Sequence, residues 1–109
     1  MEDTKNSALI VIDCQKDFVD TLDKEMNAYE AVENIKKVLE YFRNKGVPII
    51  HFRELHRPQM VDFGRELDGD ESVHCIEGSD GADFVDGLRP LKNEYFIPKR
   101  RYSGFFATD

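Results

Sequence analysis

Ala8-Leu9-Ile10-Val11-Ile12-Asp13 decides the fold, because five apolar residues in a row run directly into a carboxylate. An unbroken apolar run between Asn6-Ser7 and a polar segment reads as a strand covered on both faces, the habit of a parallel sheet. In such sheets the ligand crevice lies just past the carboxyl ends of the strands, which puts Asp13 at the lip of a site. A lone strand-end Asp more often opens a turn or caps a helix, so the rest of the chain has to separate the two readings.

Downstream, Cys14 to Val19 reads as a mixed loop in which Phe18 folds back onto the core. From about Met26 to Lys45 a helix is expected, since Ala28, Val32, Ile35, Leu39 and Phe42 recur at steps of four and three along one stripe. Gly46 sits where a left-handed residue would end that helix, and Lys45 complements its negative end. Val47-Pro48-Ile49-Ile50-His51-Phe52 is the second strand, with Pro48 tolerated near its start and His51 structural. Strand, helix and strand with short connections make a right-handed crossover unit.

Arg53 to Asp80 has no convincing period, and a loop of that length in a small domain is usually functional. Ser79 or Asp80 is expected to cap a short helix through Ala82, Phe84, Val85 and Leu88. Tyr95-Phe96-Ile97 is the third strand and delivers Lys99 at its carboxyl end. Asp13 and Lys99 are then expected to end neighbouring parallel strands and to point into one crevice.

The chain has 109 residues, 40% of them apolar and 34% charged, which describes one small globular domain. A net charge of −7 argues against nucleic acid or an anionic membrane as partner, and Lys99-Arg100-Arg101 is too short a basic run to alter that. No apolar run approaches the roughly 20 residues of a membrane span. The polar opening Met1 to Asn6 lacks the layout of a signal peptide, so a cytoplasmic protein with Cys14 and Cys75 reduced is expected. Tyr102 to Ala107 is too apolar for a solvated tail, and Thr108-Asp109 reads as the start of a further helix. Three strands with one good helix leave a sheet edge open and bury little surface. The expectation is therefore the N-terminal portion of a single, larger domain, with residues 1–109 apparently truncated and association into oligomers through the open edge.

Three segments carry a resemblance to a known family. Ala8 to Val19 resembles the opening motif of the isochorismatase-like cysteine hydrolases, the superfamily of isochorismatases, nicotinamidases, N-carbamoylsarcosine amidases and ureidoacrylate amidases. His74-Cys75-Ile76-Glu77-Gly78-Ser79-Asp80-Gly81-Ala82 resembles its middle motif, and Lys99 to Phe105 is similar to its lysine motif. Each motif is weak alone; the three in order, end to end, are specific.

The resemblance implies a three-layer α/β/α, Rossmann-like fold with a parallel sheet. It also implies an Asp–Lys–Cys triad in which Asp13 is the base and Lys99 the lysine, the cysteine lying at a helix start beyond this chain. A carboxylate can take the thiol proton while an ammonium stabilises the thiolate. Cys14 and Cys75 are expected to be buried and inert, so the chain alone is expected to be inactive. Phe18 and Tyr102, within the matched motifs, are the expected substrate-binding residues, and Arg53, Glu54, Arg57 and Asp62 are further candidates for substrate contacts.

Nicotinamidase-type members hold a divalent ion with Asp-x-His and the His of the His-Cys pair. Glu54, His56 and His74 occupy the corresponding places, with Glu for Asp as the departure. No cofactor is required by the triad chemistry, while a divalent metal such as zinc is compatible with this donor set. The implied function is hydrolysis of a small amide or other C–N substrate through a cysteine thioester. Vinyl ether hydrolysis of the isochorismatase type is the near alternative. A non-catalytic fragment, or half of a split protein that binds its complement, is the alternative from another class. Two phosphoryl-chemistry readings fare worse: a haloacid-dehalogenase-like phosphatase wants Asp where Gln15 stands, and a receiver domain wants an acidic pair beside Asp13.

Overall fold

The apolar run forms β1 (Leu9–Ile12) in the computed structural model, which describes residues 4–69 and 71–108. Two helices follow, α1 (Lys16–Met26) and α2 (Ala28–Lys45), then β2 (Ile49–Glu54) and β3 (Tyr95–Lys99). All pairing is parallel, in the order β1-β2-β3, with Ile12 opposite Phe52, Phe52 opposite Ile97 and Glu54 opposite Lys99. The parallel α/β architecture is the expected one. The expected adjacency of the strands that end in Asp13 and Lys99 is not: β2 stands between them. A crossover can return a strand to either flank of the sheet, and strand periodicity carries no record of which.

The stripe on α2 behaves as its spacing requires. Val32, Leu39 and Phe42 are buried against Val11, Ile49 and Leu88, while Ala28 and Ile35 pack at the edge of the same cluster. Each such side chain contributes roughly 1.5–3 kcal/mol through removal from water. Gly46 ends the helix in the left-handed region (φ 67°), and its N–H donates to the Arg43 carbonyl. His51 is structural, as read: buried in β2, it meets Glu94 at 2.9 Å, and Arg43 grips the same carboxylate from α2.

Two expectations about local structure are corrected. The loop expected over Cys14 to Val19 is largely helix, since α1 starts at Lys16 and only its Val19 is buried. Phe18, Val19, Leu22 and Met26 do recur at steps of three and four, but the run is short and mostly polar, and Gln15 before it makes no side-chain cap that would mark a helix start. Asn27 (φ 51°) separates α1 from α2, in a conformation Asn tolerates better than most residues. The short helix expected through Ala82 and Leu88 does not form. Its backbone instead pairs with the exit of β1: Lys16 N–H donates to the Asp83 carbonyl and Val85 N–H to that of Cys14, both at 3.0 Å. These long-range bonds satisfy groups that a helix would have satisfied locally.

Both helices pack on the face that carries Leu9, Val11 and Ile49. On the opposite face Ile10 and Ile12 are 45% and 58% exposed and Tyr95 is 64% exposed. Phe52 is buried there, against the Phe105 ring at 5.8 Å. Thr108 donates to the Gly104 carbonyl; the helix start read at Thr108-Asp109 lies in part outside the described residues.

Candidate active site

The three strands deliver their carboxyl ends to one place. Asp13 follows β1 in the left-handed region (φ 57°), which a short polar side chain tolerates, and its N–H donates to the Phe52 carbonyl at 3.0 Å. Glu54 closes β2 and Lys99 closes β3. Lys99 Nζ lies 3.1 Å from Asp13 Oδ2 and 3.7 Å from Glu54 Oε1, and donates to the carbonyls of Tyr102 (2.6 Å) and Arg101 (3.2 Å). With 2% of its side chain exposed, this ammonium is spent wholly on those four partners. Burial raises the Asp13 carboxyl above its ordinary value, Lys99 pulling in the other direction. Asp13 Oδ1 is buried without a hydrogen-bond partner.

Beside this pair lies a second cluster. Glu54 Oε2 meets His56 Nε2 at 3.0 Å and His74 Nε2 at 2.8 Å. Glu66 Oε2 stands 3.2 Å from His56 Nε2 and 4.0 Å from His74 Nε2. One donor atom from each of the four residues falls within 4.8 Å of all the others. His56 is held from behind by stacking on Phe63 (3.8 Å between centroids) and by Asp62 Oδ1 at 3.3 Å from Nδ1. Such an outer contact selects the ring orientation of a ligating imidazole. Glu66 was not singled out by the sequence reading; it stands in the aperiodic stretch, at a short turn of 3-10 helix (Glu66–Asp68), with no motif to mark it.

The donor set fits a divalent ion such as zinc. Both oxygens of Glu66 are buried without a hydrogen bond, whereas Glu54 Oε2 lies within hydrogen-bond distance of both imidazole Nε2 atoms. Two buried carboxylates side by side are costly unless a cation stands between them. Burial, reinforced by Glu54, raises the Glu66 carboxyl above its ordinary value.

Gln15 is the other residue the sequence reading missed. Fully buried, it donates through Nε2 to the carbonyls of Glu54 and Ala82, and its Oε1 accepts from the Glu54 N–H, each at 2.8 Å. It thereby ties the exit of β1 to the end of β2 and to the 82–85 segment. Its position two residues after Asp13, in a helix-opening segment, was the available signal.

Phe18 and Tyr102 both border the cleft that opens over Asp13, Glu54 and His74, about 440 Å³ in volume. Phe18 packs on the His74 ring at 5.5 Å between centroids, and Tyr102 Oη donates to Glu71 Oε1 at 3.2 Å. Arg53 lies away from the cleft, its guanidinium over the rings of Phe84 and Phe96. Arg57 and Asp62 do not border it either; the Asp62 carboxylate receives the Arg57 N–H. Cys14 and Cys75 are both buried free thiols. Burial pushes Cys14 up to about 11 and Cys75 well beyond the ordinary thiol range, so neither supplies thiolate near neutrality.

The chain is similar to known proteins of one family. The family model described as "Isochorismatase domain" matches residues 7–109. A "probable inactive nicotinamidase" of Arabidopsis thaliana is 35% identical over 112 residues, which cover 96% of this chain and 57% of the relative. The crystal structure of N-carbamoylsarcosine amidase from Thermoplasma acidophilum superposes with a TM-score of 0.76 at 32% identity, over 93% of this chain and 56% of that one. The pyrazinamidase of Pyrococcus horikoshii, solved in complex with zinc, superposes with a TM-score of 0.73 at 27% identity, over 94% and 59%. The chain thus spans about half the length of the relatives it matches.

Proposed function

The chain belongs to the isochorismatase family of hydrolases, and from that premise we propose that it carries the base, the lysine and the metal-ligand cluster of a site that hydrolyses a small amide. The attacking thiol comes from polypeptide outside residues 1–109. The observation that supports this most directly is the contact at 3.1 Å between Oδ2 of Asp13, which lines the cleft, and Nζ of Lys99 buried behind it.

In the proposed reaction, Asp13 takes the proton of the incoming cysteine thiol, and Lys99 balances the charge of the thiolate beside it. The sulfur adds to the amide carbon, the C–N bond breaks, and the departing nitrogen leaves as ammonia or amine with the proton held on Asp13. Water then adds to the thioester, with Asp13 again accepting a proton, and releases the carboxylic acid and the thiol. Glu54, His56, Glu66 and His74 would hold a divalent ion, which when bound supplies a Lewis acid for a donor atom of the substrate or for water. Phe18 and Tyr102 form the sides of the substrate pocket. A missing half or complementary chain covering the open sheet face would bring the thiol to the same strand ends.

The test is an assay of ammonia release from nicotinamide and N-carbamoyl compounds. It uses the natural gene product that contains these residues, together with any polypeptide that copurifies. Turnover that survives Asp13→Asn would overturn the assignment of the base. A second reading, binding without turnover, takes its support from the Arabidopsis relative whose name describes it as inactive. It predicts substrate binding with no ammonia released.

A further inference from the structure

We infer that Asp17 is the positioning residue of His74: its carboxylate clamps the backbone of Cys75 and so aims the neighbouring imidazole at Glu54 and Glu66. The inference rests on reading Glu54, His56, Glu66 and His74 as metal ligands, and adds the residue that sets one of them.

Cys75 has a φ of 53°, in the left-handed region that side chains other than those of Gly, Asn and Asp seldom adopt. Such a conformation persists only where its surroundings hold it. Three contacts do so. The Cys75 N–H donates to Asp17 Oδ2 at 2.8 Å, its carbonyl accepts the His56 N–H at 2.8 Å, and its sulfur lies 3.6 Å from Gln15 Nε2. Of the three, only the Asp17 contact grips the amide that joins Cys75 to His74. Because the peptide unit is planar, fixing that N–H fixes the carbonyl side of His74 as well.

The neighbourhood of Asp17 is shaped for this contact. Its own N–H donates to the Gly81 carbonyl at 2.9 Å, and a Cβ at Gly81 would overlap the Asp17 carboxylate. One position on, Phe18 packs on the His74 ring at 5.5 Å between centroids, while Nδ1 of that ring meets the Ser72 carbonyl at 2.6 Å. With peptide plane, ring face and Nδ1 all held, Nε2 is left directed at Glu54 Oε2, 2.8 Å away, and at Glu66 Oε2, 4.0 Å away. Gln15 holds the Glu54 backbone, so the opening of α1 sets two ligands from separate segments. An acid in the first turn also suits the helix dipole, so a loss of stability alone would not reveal the positioning role.

The test titrates zinc calorimetrically into the gene product that contains these residues, as parent, Asp17→Ala, Asp17→Asn, Gly81→Ala and the Asp17→Ala/Gly81→Ala double variant. Each is also unfolded in urea. Asp17→Ala should bind zinc about tenfold to 100-fold more weakly, whereas Asp17→Asn, which keeps an oxygen for the Cys75 N–H, should stay close to the parent. Gly81→Ala should weaken zinc binding by displacing the carboxylate, and should cost little more once Asp17 is Ala. Zinc affinity unchanged in Asp17→Ala, whatever its urea midpoint, makes the residue structural only and overturns the inference. An Asn variant as weak as the Ala variant also overturns it, since charge and not the hydrogen bond would then be acting. Should Asp17→Ala fail to fold, equal zinc affinity in Gly81→Ala and Asp17→Asn overturns it. A parent that takes up no zinc removes the metal-ligand reading instead. The His74 ring resonances of metal-free parent and Asp17→Ala then decide: a shift upholds the clamp, and no shift overturns it.

Discussion

Lys99 Nζ touches Asp13 Oδ2 at 3.1 Å although the strands that carry them never pair, because Glu54 at the end of the intervening β2 lies 3.7 Å from the same ammonium. The centre of the site is thus a cation held between two carboxylates from the ends of the other two strands. Asp13→Asn is expected to lower turnover of the complete enzyme by about 100-fold or more, with the fold retained by circular dichroism. Lys99→Met removes the group that holds the Asp13 carboxyl down, so Asp13 should titrate at still higher pH. Because burial already lifts Asp13 above 3.8, activity should rise with pH through an acid limb above the ordinary carboxylate range. An acid limb that Lys99→Met leaves in place would speak against Asp13 as the base.

Glu66→Gln should move metal affinity and apo stability in opposite directions. Losing one anionic ligand is expected to weaken zinc binding by about tenfold to 100-fold, read by calorimetric titration. Without metal, the same change removes a buried charge whose oxygens have no hydrogen bond and which faces Glu54. The metal-free variant should therefore resist urea as well as the parent or better.

Away from the cleft, Glu94 fastens α2 to β2. Its carboxylate accepts from Arg43 at 2.7 and 2.8 Å and meets His51 at 2.9 Å. The Arg43 guanidinium foremost, with the Leu91 N–H and His51, holds its carboxyl down to about 2, against an ordinary value of 4.5. A depressed acid stabilises the fold above its unfolded value and loses that contribution as pH falls toward the folded one. Stability on the order of 3 kcal/mol should drain away between about pH 5 and pH 2. Glu94→Ala should cost about 3 kcal/mol at neutral pH and flatten that acid dependence in urea titrations.

Gln15→Ala leaves the Glu54 N–H and the Glu54 and Ala82 carbonyls without their buried partner. A loss of about 2–4 kcal/mol is expected by chemical denaturation. Zinc affinity should fall with it, since Gln15 fixes the backbone of a ligand-bearing residue.

Neither thiol should react in the folded chain. Cys75 is fully buried and Cys14 nearly so, and both are raised by burial. Alkylation by iodoacetamide near pH 7 should proceed only at the rate of unfolding, and mass spectrometry of the intact chain reads this directly. Rapid labelling of Cys75, with amide turnover by residues 1–109 that depends on it, would return the nucleophile to this chain.

The sequence by itself determined the parallel sheet and the strand-end positions of Asp13 and Lys99, along with the apolar stripe of α2 and its stop at Gly46, whereas Glu54, read as the start of the long loop, closes β2 only in the structure. Continuous apolar runs and a spacing of three and four are imposed by burial within one element, so they are legible locally. Only the tertiary structure decided that β2 lies between the two strands whose ends meet, that Gln15 and Glu66 belong to the site, and that residues 82–88 pair with the exit of β1 rather than coil. These depend on hydrogen bonds and charge contacts between residues far apart in the chain. A polar residue carries the same local signature whether its partner is water or a buried carboxylate.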